Sequence, residues 1–198
     1  MKTLILASAS PARRRLLTSA GLSPQVIVSG VDESAVEAGD AATLAGTLAG
    51  LKARAVVATL PSSVEGALVL GCDSVLAFDG EILGKPVDAA DATRRWQKMR
   101  GRSGVLYTGH CLVDTGTGKE ATATVGTTVH FAEATDEEIA AYVASGEPLE
   151  VAGAFTIDGL GGLFVERIEG DHGNVVGLSL PTLRNLLASL GIPVTSLW

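Results

Sequence analysis

Apolar and polar positions along the first part of the chain predict a strand, a helix and a second strand in turn. The short apolar run at 2–7 is bounded by polar residues and predicts a buried strand. Pro11 suits the first position of the following helix, with Ser10 as its N-cap, because proline has no amide hydrogen to lose there. Gly21 is expected to end this helix. Alternating valines then predict a second strand at 25–29.

The middle of the chain continues with a long helix, a hairpin and another helix. Residues 41–59 are rich in alanine, with leucines at helical spacing, and predict a helix that carries Lys52. Two apolar runs within 66–83 predict short strands joined at Asp79-Gly80, because an Asp-Gly pair favours the turn of a tight hairpin. A helix is predicted next, over 88–99.

Strand-forming residues dominate the stretch after this helix. Residues 104–132 predict two or three strands with a turn rich in glycine and threonine at 115–118. Thr135 is then expected to cap a helix, because Glu138 three residues later completes the capping-box pattern. This helix should end at Gly146.

The last part of the chain predicts one more strand, at 161–170, and a terminal helix at 181–190 that ends at Gly191. Strands and helices therefore alternate early in the chain, while the middle is an antiparallel stretch. This order predicts an α/β fold with a mixed sheet. The length of 198 residues suggests one domain over 1–198, with two lobes.

Composition and charge exclude some classes of binding partner. The net charge of −7 argues against a nucleic-acid partner, so an anionic ligand would need a local cationic patch. No apolar run approaches the roughly 18 residues of a membrane span, and the first apolar run is shorter than the roughly 7–15 residues of a signal peptide. We therefore expect a cytoplasmic protein that does not contact membranes. Cys72 and Cys111 lie far apart and form no CxxC motif, which predicts two reduced, buried thiols.

The turn after the first strand has the features of an anion site. Small residues at 7–10 precede a helix start, where free backbone amides and the positive end of the helix dipole meet. Arg13, Arg14 and Arg15 oppose this dipole, at a cost of about 0.3–1 kcal/mol each. Phosphate groups of a ligand would offset that cost. In the simpler alternative some of these arginines point to solvent. At least one of three consecutive arginines in a helix must do so.

Other candidates for site chemistry are scattered along the chain. Asp73 interrupts an apolar run, so it is either buried with a partner or a solvated residue at a strand end. Glu33 has a weaker claim, because it lies in ordinary loop composition. Lys85 precedes Pro86, and the proline restricts the backbone conformation of Lys85. This restriction suits a lysine that is directed at a phosphate group, although Lys-Pro pairs are common and usually have no such role. The glycine-rich stretch 146–178 either lets backbone approach a ligand or forms tight turns. Together these residues indicate a polyphosphate site with carboxylates for Mg²⁺.

Five stretches of the chain resemble the motifs of one family, in order and spacing. They are LILASASPARRRLL, VDES, GCDSVLAFDGEILGKP, GRSGVLYTG and SGEPLEVAGAFTIDGLGGLFVERIEGDHGNVVGL. On these motifs the chain resembles the Maf family of nucleoside triphosphate pyrophosphatases. The resemblance implies a fold related to inosine-triphosphate pyrophosphatase, with an elongated mixed sheet and a central cleft between two lobes. It also implies hydrolysis of a nucleoside triphosphate to a monophosphate and pyrophosphate with a divalent cation, Mg²⁺ or Mn²⁺. House-cleaning of non-standard nucleotides and a link to septum formation are associated with the family.

The resemblance also implies roles for particular residues. The proton acceptor of the family falls on Asp73, and its acidic and basic site positions fall on Glu33, Lys52 and Lys85. The expected phosphate-binding residues are Ser8, Ser10 and Arg13, with Lys52 nearby. Glu33 and Asp73 would hold the metal. A homodimer is what the resemblance suggests for the assembly.

Three positions that the family links to base choice depart from its known branches. They are Ala12, Ser74 and Asp158. The branch that acts on dTTP and UTP carries Arg, Thr and Gln there, and the branch that acts on 7-methyl-GTP carries a large aromatic residue, Gln and Glu. The carboxylate of Asp158 suits a base with an N–H edge, such as guanine. Two alternatives therefore stay open: an enzyme specific for 7-methyl-GTP or another modified purine, and a nucleotide-binding regulator of cell division with little turnover. Gly104 also replaces a histidine that is usual in the family.

Overall fold

A mixed β-sheet organises the chain in the computed structural model, which describes residues 2–61, 64 and 66–198. Within these residues seven strands form one sheet in the order β2-β1-β3-β5-β6-β7, with β4 paired to β3. β1 pairs in parallel with β2 and β3, whereas the pairs β3/β4 and β6/β7 are antiparallel. The strands are β1 Leu4–Leu6, β2 Gln25–Val26, β3 Leu68–Phe78, β4 Glu81–Leu83, β5 Ser103–Asp114, β6 Lys119–Phe131 and β7 Val165–Glu169. The predicted α/β class with a mixed sheet is confirmed.

The helices begin where the sequence places capping residues. Ser10, Asp40, Asp88, Thr135 and Ser179 each accept a hydrogen bond from a backbone amide in the first turn of the helix that follows. The helices are α1 Pro11–Ser19, α2 Ala41–Thr59, α3 Ala89–Met99, α4 Asp136–Ala144, α5 His172–Val176 and α6 Leu180–Ser189. The predicted capping box at the start of α4 is confirmed. The short helix α5 was not predicted.

Three strands are shorter than the pattern predicted. β1 covers Leu4–Leu6 of the predicted 2–7. β2 ends at Val26, because it lies at the edge of the sheet and, within the described part of the chain, pairs only with the short strand β1. β7 begins at Val165, because the preceding residues Leu160–Phe164 form a 3₁₀ helix. The carboxylate of Glu147 accepts hydrogen bonds from the amides of Leu160 and Gly161 and so holds that stretch as a turn. The predictions of strands at 2–7, 25–29 and 161–170 were therefore wrong in extent.

The hairpin turn between β3 and β4 has the predicted conformation. Asp79 and Gly80 have φ values of 54° and 80°, the left-handed pair that a tight hairpin turn requires. The turn between β5 and β6 also lies within the predicted 115–118. Local sequence therefore determines both of these reversals of the chain.

The chain divides into two compact units. The first unit comprises Met1–Asp73, Thr108–Val125 and Gly177–Trp198. Its core is aliphatic, and small residues let helix α2 lie directly on the sheet. A Cβ atom on Gly71 of β3 would overlap the carbonyl oxygen of Ala49 of α2. This close approach brings the face of α2 that carries Lys52 onto β3.

The second unit comprises Ser74–Tyr107 and Gly126–Val176. Although aromatic residues are only 4% of the chain, they concentrate in the core of this unit. Trp96 packs edge-on against Phe131, Tyr142 and Phe164, with ring centroids 5.5–5.7 Å apart. Its indole nitrogen also donates a hydrogen bond to the carbonyl oxygen of Ala154. This core anchors helix α3 within the unit.

Helix α2 also meets a test for membrane-spanning helices. Among the described residues it alone is long and apolar enough to cross a bilayer, and one such helix is weak evidence because core helices pass the same test. Ala49, Ala53 and Val56 of α2 are buried in an aliphatic cluster of the first unit. Their burial accounts for the apolar composition of the helix.

Replacement of Gly71 by alanine is expected to destabilise the protein. The new methyl group would meet the backbone of α2, so the free energy of unfolding should fall by about 1–3 kcal/mol. Gly39→Ala is the matched control, because a Cβ there would have no described heavy atom within 4 Å outside its chain neighbours. That variant should stay within about 0.5 kcal/mol of the wild type. Urea unfolding measures both, and equal stabilities of the two variants would contradict the close packing.

Candidate active site

The candidate site in the first unit centres on Asp73, a buried carboxylate on strand β3. Its side chain is only 8% exposed, and Cys72 before it is fully buried. The alternative of a solvated residue at a strand end is therefore excluded. A buried carboxylate needs a partner, because an unpaired charge away from water is costly.

Lys52 of helix α2 is that partner. Its Nζ atom lies 2.5 Å from Oδ1 of Asp73 and 2.6 Å from Oε1 of Glu33. The Lys52 side chain is 10% exposed, whereas that of Glu33 is 53% exposed. One ammonium group therefore joins a buried and an exposed carboxylate at the surface of the first unit.

The position of Glu33 is set by a local cap. Glu33 begins a short 3₁₀ helix, Glu33–Ala35, and Asp32 precedes it as the capping residue. The Asp32 carboxylate accepts hydrogen bonds from the amide and the hydroxyl group of Ser34, at 3.0 and 2.7 Å. These bonds lower the pKa of Asp32. The sequence VDES therefore forms a turn that presents the Glu33 side chain to Lys52.

The electrostatics of Asp73 combine opposing effects. Burial raises the pKa of the Asp73 carboxyl above its usual value, and this is the largest effect. The charges of Lys52 and Arg13 oppose that rise. The nearby carboxylate of Glu33 adds to it. Asp73 is thus more basic than an exposed aspartate, which suits a group that accepts a proton.

The turn between β1 and α1 contributes Ser8, Ser10 and Arg13. The Ser8 hydroxyl oxygen accepts hydrogen bonds from the Ser10 amide at 3.2 Å and from Nη1 of Arg13 at 3.1 Å. Ser10 caps α1 by accepting a bond from the Arg13 amide at 3.4 Å. The two hydroxyl groups and the start of α1 therefore lie together, and a helix start is a place where anions commonly bind.

Arg13 is buried, unlike its neighbours. It is 8% exposed, and its Nε and Nη1 atoms donate to the carbonyl oxygens of Gly177 and Cys72 at 2.7 and 2.9 Å. Arg14 and Arg15 are exposed, so the expectation that at least one of the three arginines points to solvent is confirmed. Through Cys72, the residue before Asp73, the Arg13 guanidinium is bonded to the strand that carries the candidate base.

The remaining predicted site residues have different locations. Ala12 lies in α1 of the first unit and is half-buried. Ser74, Lys85 and Asp158 belong to the second unit. Lys85 and Asp158 are exposed there, and Ser74 is half-buried. The structure thus brings Ser8, Ser10, Arg13, Glu33, Lys52 and Asp73 together within one unit, and assigns the other three polar positions to the second.

The buried cysteines are not candidates for nucleophilic chemistry. Both Cys72 and Cys111 are free and buried, as the sequence predicted. Burial raises the pKa of the Cys72 thiol to about 11 and that of Cys111 to about 12. Both thiols are therefore protonated at neutral pH, and a thiolate is the form that attacks or binds metal.

The carboxylates at the site fit a hard divalent cation. Glu33 and Asp73 already converge on a positive charge, the Lys52 ammonium, and carboxylate oxygens are the ligands that Mg²⁺ prefers. Nowhere among the described residues do three or more His, Cys, Asp or Glu side chains form a group that could hold a metal. An ion held by two carboxylates would complete its coordination with water or substrate oxygens, as Mg²⁺ usually does.

Sequence reasoning missed the backbone carbonyls that hold Arg13. The carbonyl groups of Cys72 and Gly177 have no side-chain signature, and Gly177 lies 164 residues from Arg13. It also missed Arg95, whose guanidinium bonds to the backbone beside Lys85. The i,i+4 spacing of Asp91 and Arg95 is visible in the sequence and predicts their ion pair. It does not predict the hydrogen bond from Arg95 to the carbonyl oxygen of Gly84.

Comparison with known proteins gives consistent matches over nearly the whole chain. The model of the Maf-like protein family matches residues 3–190. A nucleoside triphosphate pyrophosphatase of Salinispora tropica is 65% identical over 98% of this chain and 87% of its own length. Relatives with the same name in Streptomyces coelicolor and Nostoc punctiforme are 62% and 52% identical, over 100% and 98% of this chain and 95% and 96% of theirs.

These matches cover the elements that carry the candidate site, from the turn after β1 to the end of α6. They agree with the motifs quoted from the sequence and with the mixed α/β sheet. The chain therefore belongs to the Maf-like protein family.

Proposed function

We propose that this protein hydrolyses nucleoside triphosphates to nucleoside monophosphates and pyrophosphate. The observation that carries the proposal is the Lys52 ammonium group between the carboxylates of Asp73 and Glu33. This arrangement provides a buried base of raised pKa beside oxygen ligands for a cation. Relatives that are 52–65% identical bear the name of this activity.

The triphosphate binds at the turn before α1 in this proposal. The hydroxyl groups of Ser8 and Ser10 can donate to phosphate oxygens, and the start of α1 adds the positive end of its dipole. The buried charge of Arg13 favours an anion at the same place. Lys85 is assigned as a further phosphate ligand on the resemblance of its motif to that of the family. Lys52 adds positive charge beside Asp73.

Glu33 and Asp73 are the residues that would hold the divalent cation, Mg²⁺ or Mn²⁺. When bound, such an ion neutralises phosphate charge and polarises the phosphoryl oxygens. The protein's own contribution is the fixed placement of the two carboxylates by Lys52 and by the cap at Asp32.

Asp73 acts as the general base. It accepts a proton from the water that attacks the α-phosphorus, while the bond from that phosphorus to the bridging oxygen breaks and pyrophosphate leaves with the bonding electrons. Lys52 keeps the carboxylate oriented and partly offsets the cost of its burial. Positioning and electrostatic stabilisation therefore supply most of the rate enhancement, as in other phosphoryl chemistry.

Several finer expectations stay predictions. Base choice is assigned to Ala12, Ser74 and Asp158, and the exposed carboxylate of Asp158 suits a base with an N–H edge. The two lobes of one domain, the homodimer, the cytoplasmic location and the lack of a nucleic-acid or membrane partner also stay predictions. An enzyme specific for a modified purine would release pyrophosphate from that nucleotide alone in a panel of nucleoside triphosphates. A regulator of cell division would bind the nucleotide without releasing pyrophosphate.

Asp73→Asn is expected to reduce kcat by about 10²–10⁴-fold, because the amide keeps the shape of the side chain but cannot take the proton. The measurement is pyrophosphate release from a panel of nucleoside triphosphates in the presence of Mg²⁺. Turnover near that of the wild type would contradict the role of Asp73. Release of orthophosphate with a diphosphate would contradict the reaction itself.

Asp114→Asn is the matched control for this substitution. Asp114 is also a buried carboxylate of the first unit, with a side chain 4% exposed and 2.7 Å from the ammonium group of Lys2. It has no place in the proposed chemistry, so kcat of the folded variant should change less than about twofold. An equal loss in both variants would indicate a general effect of removing a buried carboxylate.

The ion pair of Lys52 and Asp73 should behave as one unit in stability. Lys52→Met leaves the Asp73 carboxylate buried without its nearest cation, and should lower the free energy of unfolding by about 3–5 kcal/mol. Adding Asp73→Asn removes the uncompensated charge, so the double variant should be more stable than Lys52→Met alone.

The exposed pair of Lys98 and Glu81 provides the comparison, since their side chains are 60% and 58% exposed. Lys98→Met should change stability by less than about 1 kcal/mol. Urea unfolding measures all of these variants. If the losses of Lys52→Met and Asp73→Asn simply added, the two residues would not form a coupled pair.

A further inference from the structure

Arg95 of helix α3 lies against the segment that carries Lys85. Its Nη1 atom donates a hydrogen bond to the carbonyl oxygen of Gly84 at 2.7 Å, and its Nη2 atom lies 3.5 Å from the carbonyl oxygen of Lys85. The Arg95 side chain is 15% exposed. A largely buried guanidinium group is therefore bonded to the carbonyl groups of the two peptide bonds that flank Lys85.

The same guanidinium group is also held by an ion pair within helix α3. Nη2 of Arg95 lies 2.7 Å from Oδ2 of Asp91, one helical turn earlier. The Asp91 carboxylate also accepts a hydrogen bond from the amide of Val87 at 3.3 Å. Asp91 and Arg95 therefore attach both ends of the segment 84–87 to the same face of α3.

Other contacts within the second unit hold the same segment. The carbonyl oxygen of Gly84 accepts a second hydrogen bond, from the Gly153 amide at 3.0 Å. Pro86 is buried, while Lys85 between them is exposed. The backbone of Lys85 is thus fixed on both sides, while the residue itself is exposed.

We propose that Arg95 is a positioning residue that orients Lys85 for the triphosphate, an inference that rests on the proposed function. The planar fork of arginine can bond to a carboxylate and to carbonyl oxygens at the same time, whereas the compact ammonium group of lysine cannot span both. Loss of this fork leaves the charge of Lys85 intact but removes the hydrogen bonds from α3 to the carbonyl groups of Gly84 and Lys85. A phosphate ligand that is misplaced by about 1 Å can cost up to about 10²-fold in rate.

Arg94 provides a matched control on the same helix. Its Nη2 atom lies 3.3 Å from Oδ1 of Asp91, so it pairs with the same carboxylate as Arg95. Its side chain is 63% exposed, however, and it forms this pair from the solvent side. Arg94→Met therefore removes a charge and an ion pair of Asp91 but keeps the bond from Arg95 to the backbone of Gly84.

A double-mutant cycle on kcat/KM tests the inference. The variants are Arg95→Met, Lys85→Met, the two combined, and Arg94→Met. Arg95→Met should lower kcat/KM by about 10- to 100-fold, whereas Arg94→Met should change it less than about twofold. In the Lys85→Met background, Arg95→Met should cost less than about twofold, because the side chain that it positions is already gone. A purely structural role of Arg95 would not produce this loss of effect.

Independent losses from Arg95→Met and Lys85→Met would overturn the inference, and so would a Lys85→Met variant that keeps full activity. In both cases wild-type release of pyrophosphate would leave the proposed function standing. Absence of that release from the wild type would overturn both. Arg95→Lys keeps the charge beside Asp91, so it provides a second variant in case Arg95→Met does not fold. It should retain the unfolding midpoint but not kcat/KM, and full activity of this variant would also contradict a role for the fork.

Discussion

The contact of 2.5 Å between the Lys52 ammonium and the Asp73 carboxylate is the interaction on which the candidate site depends. A carboxylate on a buried strand has a large cost unless a cation accompanies it. The cation is on helix α2, which can reach β3 only because Gly71 leaves no Cβ between the helix and the strand. The small residues of the first unit therefore have a functional consequence: they allow a lysine and an aspartate 21 residues apart to meet in a largely buried place.

The first turn of α1 shows how the protein accommodates positive charge at the wrong end of a helix dipole. Arg13 is buried, and the carbonyl oxygens of Cys72 and Gly177 accept hydrogen bonds from its guanidinium group. These acceptors offset the unfavourable dipole and the loss of hydration. Arg14 and Arg15 remain exposed, where water screens their charge. In a chain of net charge −7, this buried cation places a local positive charge beside Ser8.

Much of the fold could be predicted from the sequence, because the signals were local. Ser10, Asp88 and Thr135 mark helix starts, and Asp79-Gly80 has the backbone conformation of a hairpin turn. The extent of β7 could not be predicted. The amides just before this strand donate hydrogen bonds to the carboxylate of Glu147, which is distant in the sequence. For the same reason candidate residues for the site could be named from the sequence, while the partners that they bond to could not. Arg13 bonds to a carbonyl group far along the chain, and the backbone beside Lys85 accepts a hydrogen bond from Arg95 of the next helix.

The central claim is that Asp73, held by Lys52, activates a water that attacks the α-phosphorus of a nucleoside triphosphate. The most direct measurement is hydrolysis by the wild-type protein in water enriched in ¹⁸O, followed by mass analysis of both products. We expect one ¹⁸O atom in the phosphate of the nucleoside monophosphate and none in the pyrophosphate, because only the α-phosphorus forms a bond to water. Label in the pyrophosphate, with an unlabelled monophosphate, would place the attack on the β-phosphorus and contradict the claim.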